Sequence, residues 1–170
     1  MAMAVVASAD AGLRVAPRAT ILQLRAPELG AGAFEIQARA LVRSSTLPVL
    51  ISSRCDVALA VSASGVNLPE RDVAVRDARM ILGDLIIGRS VHTLRAGLEA
   101  ERDGADFVIF GPVWPSPTHP AGQAAGLTAL AEISRELNIP VVAIGGVTAL
   151  RIAECNAAGA AGYAAIGLYR

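Results

Sequence analysis

Seven short apolar runs rich in β-branched residues recur along the chain, and most are separated by segments of helical periodicity. The runs are Thr20–Gln23, Leu47–Ile51, Gly65–Leu68, Leu85–Ile87, Phe107–Phe110, Pro140–Ile144 and Gly162–Ile166. A strand that is apolar at every position, rather than at every second one, is buried on both faces, as in a parallel sheet covered by helices. Between the runs, apolar residues at a helical spacing mark Ala33–Val42, Val73–Ile81, Leu94–Arg102, Leu127–Leu137 and Ala149–Ala158 as helices. Strands alternating with helices need right-handed crossovers and a parallel sheet. Seven or more such strands in 170 residues predict a closed barrel, one α/β domain of the (β/α)8 TIM type spanning residues 1–170.

The ends depart from the regular pattern. Ala4–Ser8 supplies a first strand, and only eleven residues, Pro17 among them, separate it from Thr20. A full helix barely fits there, so the first βα unit reads as trimmed. The chain stops at Arg170, directly after the last run, without a closing helix. That ending suits a shortened fold, a lost tail, or a homodimer whose partner covers the apolar edge.

Composition narrows the function classes. The chain is 54% hydrophobic, 18% charged and of zero formal net charge. It lacks the basic surface that nucleic-acid binding requires, and its few aromatics make a poor base-stacking platform. No apolar run approaches the ~20 residues of a membrane span. The first ten residues lack the basic start and long apolar core of an export signal. Cys55 and Cys155 stand alone, outside any metal or disulfide spacing, and read as small core residues. A cytoplasmic protein without nucleic-acid or membrane partners is expected. The chain contains no lysine; all 15 basic residues are arginine. Schiff-base chemistry on a lysine amine is therefore excluded for this chain. Any anion must be held by arginine or by backbone N–H groups.

Active sites of such barrels form at the C-terminal ends of the strands. The residues that follow the runs are Gln23 and Arg25; Ser52, Ser53 and Arg54; Glu70 and Asp72; Arg89, Ser90 and His92; the loop Pro112–Gly126; Gly145 and Gly146; and Gly167. Small polar residues and glycines dominate, rather than the long charged side chains of a solvated face. Gly145-Gly146, with Val147 and Thr148 opening a helix, reads as a phosphate cradle, because glycine admits close backbone approach and a helix start presents free N–H groups. Gly167 after the next strand completes it. The long Pro/Ser/Thr-rich loop reads as a lid carrying Ser116, Thr118 and His119. His119 and His92 are the candidate proton carriers, each also readable as a structural or solvated histidine. Asp72 suits a metal, a substrate contact or a helix cap; Arg54, Asp56 and Arg89 read as structural.

Several of these stretches also resemble a known family. Gln23-Leu24-Arg25, Leu50 through Ala60, Gly88-Arg89-Ser90-Val91-His92, Ala105 through Val113 and Pro140 through Val147 are similar, in order and spacing, to the thiamine phosphate synthase/TenI family, from about Thr20 to the C-terminus. The resemblance implies a barrel acting in thiamine biosynthesis on a phosphorylated thiazole. The synthase joins a pyrimidine diphosphate to thiazole phosphate, with magnesium neutralising the diphosphate; TenI-type members aromatise the thiazole phosphate carboxylate by tautomerisation. By position, Gln23, Arg25 and Ser90 resemble pyrimidine-site residues. Ser116, Pro117 and Thr118 resemble the loop at the thiazole and diphosphate, and Gly145, Gly146, Ile166 and Gly167 resemble the thiazole-phosphate cradle. Asp72 matches one magnesium carboxylate. Ser52-Ser53 replaces an Asn-Asp pair that carries the other, and Pro27 and His119 stand where the synthase pattern has lysines. Gly88–His92 and Asn67–Pro69 resemble the TenI side, although the histidine proposed there for tautomerisation aligns with Pro112.

The leading expectation is thus a TenI-like thiazole tautomerase with His119 or His92 as general acid/base and no required cofactor. The alternative is a divergent thiamine phosphate synthase that uses magnesium at Asp72 together with arginine. A non-catalytic thiazole-phosphate-binding or partner protein is the third reading.

Overall fold

The computed structural model describes residues 1–115 and 124–169. Eight parallel strands close into a barrel in sequence order. They are β1 (Ala2–Val6), β2 (Ile21–Leu24), β3 (Val49–Ser52), β4 (Gly65–Leu68), β5 (Ile86–Val91), β6 (Phe107–Phe110), β7 (Val141–Ile144) and β8 (Gly162–Ala165). β1 closes the ring by pairing with both β2 and β8. Seven α-helices lie outside: α1 (Ala9–Val15), α2 (Ala31–Ser44), α3 (Cys55–Ala60), α4 (Val75–Leu82), α5 (Leu94–Arg102), α6 (Gly126–Glu136) and α7 (Ile152–Ala157).

The first βα unit differs from expectation. β1 starts and ends two residues earlier than Ala4–Ser8, which frees room for a seven-residue helix and a 3-10 turn, Ala16–Arg18. Ser8 belongs to the helix, not the strand. Its side chain accepts from the N–H of Ala11 as an N-cap. Thr93 caps α5 in the same way. After β8 the chain forms a 3-10 turn, Gly167–Tyr169, with the Tyr169 ring buried and the Arg18 guanidinium 6.0 Å from its centre.

Two apolar layers hold the barrel. The larger lies between strands and helices. The smaller lies inside the ring and contains Met3, Val5, Ile21, Leu50, Phe107, Ile109, Val142 and Ala164. Glycine positions shape this inner layer. Gly88 is the register partner of Phe107, and a methyl group on Gly88 would sit 2.2 Å from the Phe107 ring. The ring thus fills space that the missing side chain leaves, and the lower barrel is closed by packing rather than by a pore.

At the other end the interior changes character. Side chains on one face of a strand recur every second residue. Two positions beyond Ile21, Leu50, Gly65 and Gly88 come Gln23, Ser52, Asn67 and Ser90. These four polar groups, with Val5, Ile109 and Ile144, floor a cavity at the C-terminal ends of the strands.

At the opposite end, Arg79 ties the lower loops. It donates to the carbonyls of Gly83, Leu85 and Gly104 and pairs with Asp106 at 2.7 Å. The same Asp106 oxygen accepts from the N–H of Ile87.

Candidate active site

The cavity measures about 760 Å³ and draws its walls from most of the strands. That lies within the ~300–1,000 Å³ usual for small-molecule sites. Gln23, Arg25, Ser52, Ser90, His92, Gly145, Gly146, Ile166 and Gly167 all line it. Ser116, Thr118 and His119 lie outside the described residues. Asp72 is not on the wall, and reaches Ser53 instead.

One wall carries buried amides. Gln23 and Asn67 are each 3% exposed. Asn67 Nδ2 donates to Ser90 Oγ at 3.0 Å. Gln23 Oε1 and Asn67 Oδ1 have no partner among the described residues. An acceptor desolvated without a donor costs about 1–3 kcal/mol, so these two oxygens suit a ligand that brings N–H groups. A ring bearing an amino group meets that demand.

A second wall carries a histidine–carboxylate pair. His92 Nδ1 lies 2.5 Å from Gly111 O. A carbonyl only accepts, so Nδ1 carries a proton, and in a neutral ring Nε2 is the nitrogen with the lone pair. Nε2 lies 3.8 Å from Glu70 Oε2, which also accepts from the His92 backbone N–H. Both residues line the cavity. Behind them, Arg89 donates to the carbonyls of Glu70 and Val73, and so pins the β4–α4 loop that holds Glu70.

The third wall is the glycine corner. Gly145 and Gly146 have φ of +92° and +67°, which other residues rarely adopt. Among the described residues no acceptor meets the N–H groups of Gly145, Gly146, Val147 or Thr148. Successive free N–H groups on such a turn form an anion-binding concavity. The expected helix start is absent here. Residues 149–151 form one 3-10 turn, and α7 begins only at Ile152 and has six residues. The glycines also answer to packing. A methyl group on Gly145 would lie 2.5 Å from Pro112 Cβ, and one on Gly146 would lie 2.6 Å from Trp114 Cβ. Gly167 differs: nothing lies within 4 Å of its missing Cβ.

Magnesium has one matched carboxylate. Asp72 Oδ2 accepts from the Ser53 hydroxyl, and Oδ1 accepts from Val73 N–H at 2.8 Å. Among the described residues no cluster of three or more His, Cys, Asp or Glu is suited to a metal. A single carboxylate with a hydroxyl beside it fits a magnesium ion that arrives on substrate phosphates, the usual manner for this cation, and not a prebuilt cage. Both cysteine thiols are pushed above their ordinary pKa by burial, which makes them poor nucleophiles.

Asn67, Glu70 and Arg151 also line the cavity, and sequence reasoning gave none of them a role. Asn67 had a usable signal, as a polar residue inside an otherwise apolar strand. Arg151 had none, because its neighbours read as the first turn of a helix.

The molecule is therefore a parallel barrel with a cavity of mixed polar and apolar lining at the C-terminal ends of its strands, the place where small-molecule sites of such barrels form. Its sequence matches the family model TMP-TENI, thiamine monophosphate synthase, over residues 4–168, and the chain belongs to that family. It is 39% identical over 132 residues to the thiamine-phosphate synthase of Chloroflexus aurantiacus, covering 77% of this chain and 61% of that one. It is 37% identical to the thiamine-phosphate synthase of Caldanaerobacter subterraneus, covering 75% and 62%. The chain thus spans about three fifths of the length of these two relatives. Among solved structures, thiamine phosphate pyrophosphorylase from Pyrococcus furiosus superposes with a TM-score of 0.88 at 31% identity, covering 97% of this chain and 85% of that one. The (β/α)8 fold and the place in thiamine biosynthesis follow from this membership. No helix among the described residues is long and apolar enough to cross a membrane.

Proposed function

We propose that the chain joins a pyrimidine diphosphate to thiazole phosphate, giving thiamine phosphate and diphosphate. The carrying observation is one continuous cavity with amide oxygens on one wall and a corner of N–H groups on another, none of which has a partner among the described residues. An aminated pyrimidine suits the first, and a monophosphate suits the second. The relatives, named thiamine-phosphate synthases, favour this coupling over the tautomerisation that Gly88–His92 suggests in sequence.

In the reaction, the carbon–oxygen bond to the diphosphate breaks and a carbon–nitrogen bond to the thiazole forms. The diphosphate leaves with the bonding electrons. Gln23 and Asn67 would orient the pyrimidine, and the Gly145–Thr148 corner would fix the thiazole phosphate, so that the reacting atoms meet in the middle. The concentrated charge of the leaving group must be neutralised. Asp72 and Ser53 would help hold a magnesium ion, which supplies that neutralisation when bound. Arg25 is the cation this chain contributes near Gln23. With one matched carboxylate and no lysine, turnover is expected below that of members carrying the full set. The test is the paired-substrate assay with and without magnesium. Magnesium-dependent release of diphosphate with thiamine phosphate is expected; no product at enzyme-stoichiometric concentration would sink the proposal.

The His92–Glu70 pair favours a second reading, proton transfer on the thiazole carboxylate phosphate. His92 Nε2 would take the proton from one ring carbon and return a proton to another carbon of the same conjugated system, with Glu70 steadying the imidazolium between the two transfers. Tautomer conversion that survives both His92→Gln and His119→Ala would remove this reading.

A further inference from the structure

The glycine corner has a cation that the resemblance does not supply. Arg151 lines the cavity beside Gly145–Thr148. Its Nη1 donates to Gly146 O at 2.8 Å, and the guanidinium carbon lies 4.9 Å from the centre of the Trp114 ring. The stack and the hydrogen bond fix the plane of the guanidinium. One of its five donors is spent on Gly146, and the others have no partner among the described residues. Arg151 pairs with no carboxylate among the described residues.

A charged group half-buried in a cavity without a counter-charge is costly, and it becomes favourable when an anion arrives. Backbone N–H groups carry only partial positive charge, so a guanidinium beside them adds a charge-assisted hold on a phosphate dianion. The chain has no lysine to assist. The other arginine on the cavity wall, Arg25, follows β2, three strands around the ring from β7. We infer that Arg151 recognises the substrate monophosphate and, through its stack on Trp114, couples phosphate arrival to the loop Pro112–Pro115. It is the residue that makes the site select a phosphorylated thiazole over the free alcohol. The inference rests on the reading that this cavity takes thiazole phosphate. The mechanical side is equally direct. Trp114 N–H donates to Gly145 O, and Trp114 Cβ is packed against Gly146, so the corner and the loop are in direct contact.

Trp114 is the sole tryptophan of the chain, so its emission reports on this contact. The full chain is titrated with inorganic phosphate and with thiazole phosphate, followed by Trp114 fluorescence and by calorimetry. A saturable emission change is expected for both. In Arg151→Met the affinity for thiazole phosphate should fall roughly 10- to 100-fold, while the unphosphorylated thiazole alcohol binds both proteins alike. Arg151→Lys keeps the charge without the planar fork, so it should lose less affinity but most of the emission response. Thiazole phosphate binding to Arg151→Met within twofold of the unaltered chain overturns the inference, as does the absence of saturable phosphate binding to the unaltered chain. If the Met variant does not fold, a Lys variant with unchanged affinity and emission overturns it equally. Arg151-dependent phosphate binding without either reaction would sink the proposed function and leave the Arg151 assignment standing. Turnover with phosphate affinity indifferent to Arg151 would do the reverse.

Discussion

Gly146 and Gly167 sit in the same corner but are glycine for different reasons, and alanine separates them. At Gly146 φ is +67°, and an L-residue held in the left-handed region costs ~1–2 kcal/mol. The new methyl would lie 2.6 Å from Trp114 Cβ and 2.9 Å from Pro115 O. Neither is the far end of a flexible side chain, so the loop must shift, at a further ~1–3 kcal/mol. The sum is about 2–5 kcal/mol, or a melting point lower by roughly 4–20 °C for a chain of this length. At Gly167 φ is not in the left-handed region and nothing lies within 4 Å, so alanine should change stability by less than about 0.5 kcal/mol. Its methyl projects into open space at the cavity wall, where the phosphate is proposed to lie. Gly167→Ala should therefore keep its melting point and lose thiazole-phosphate affinity by roughly tenfold or more. Thermal unfolding and calorimetry on the two variants decide the matter. A Gly146→Ala protein that melts like the unaltered chain would refute the packing argument, and a Gly167→Ala protein that binds normally would move the phosphate elsewhere.

Other substitutions probe the remaining walls. Ser53 has φ of +70°, a conformation that aspartate tolerates, so Ser53→Asp should fold and place a second carboxylate beside Asp72. The like charges should make its melting point rise with magnesium more than that of the unaltered chain; a variant indifferent to magnesium would contradict the assignment of Asp72. Gln23→Met removes a buried oxygen that lacks a partner, so the ligand-free protein should be as stable or up to ~1 kcal/mol more stable, while pyrimidine-substrate affinity falls. Destabilisation with unchanged affinity would mean that Gln23 is structural. The hydrogen bonds from Arg54 hold the Asp56 carboxyl at about 2, below its ordinary 3.8. Its stabilising effect is thus fully present above its ordinary pKa and is lost as pH falls through the folded value. The pair is exposed, so Asp56→Asn should cost no more than about 0.5–1 kcal/mol at neutral pH, with the gap closing in denaturant titrations near pH 2. A gap that persists there would assign the effect to something other than this ionisation.

The barrel was legible because parallel strands are buried on both faces and so read as unbroken apolar runs. Gly65–Leu68 and Phe107–Phe110 coincide with β4 and β6. Errors of one or two residues have a physical pattern. Leu85–Ile87 undershoots β5, which continues through Arg89 and Ser90 to Val91. Leu47–Ile51 misses Ser52, the last residue of β3. Each strand outlasts its apolar run where its inward residue turns polar, and the inward residue turns polar where the cavity begins. The helix Cys55–Ala60 escaped notice because six residues cannot display a period, and α1 because Ser8, extended at φ −152°, looks like a strand while acting as a cap.

The candidate site divides along the same line. Residues one face-repeat above the packed interior, such as Gln23, Ser52 and Ser90, are legible once the strands are placed, because alternation carries them to the cavity. Residues that reach the cavity through loop geometry are not. Glu70 arrives because Arg89 holds the carbonyls of Glu70 and Val73, a contact between side chain and backbone that leaves no periodic trace. Arg151 arrives because the segment expected as one helix, Ala149–Ala158, opens as a 3-10 turn, and its side chain bonds back to Gly146. On a regular helix Arg151 would share a face with the buried Cys155, four residues later. The tighter turn instead aims it at the one corner where a chain without lysine needs a cation.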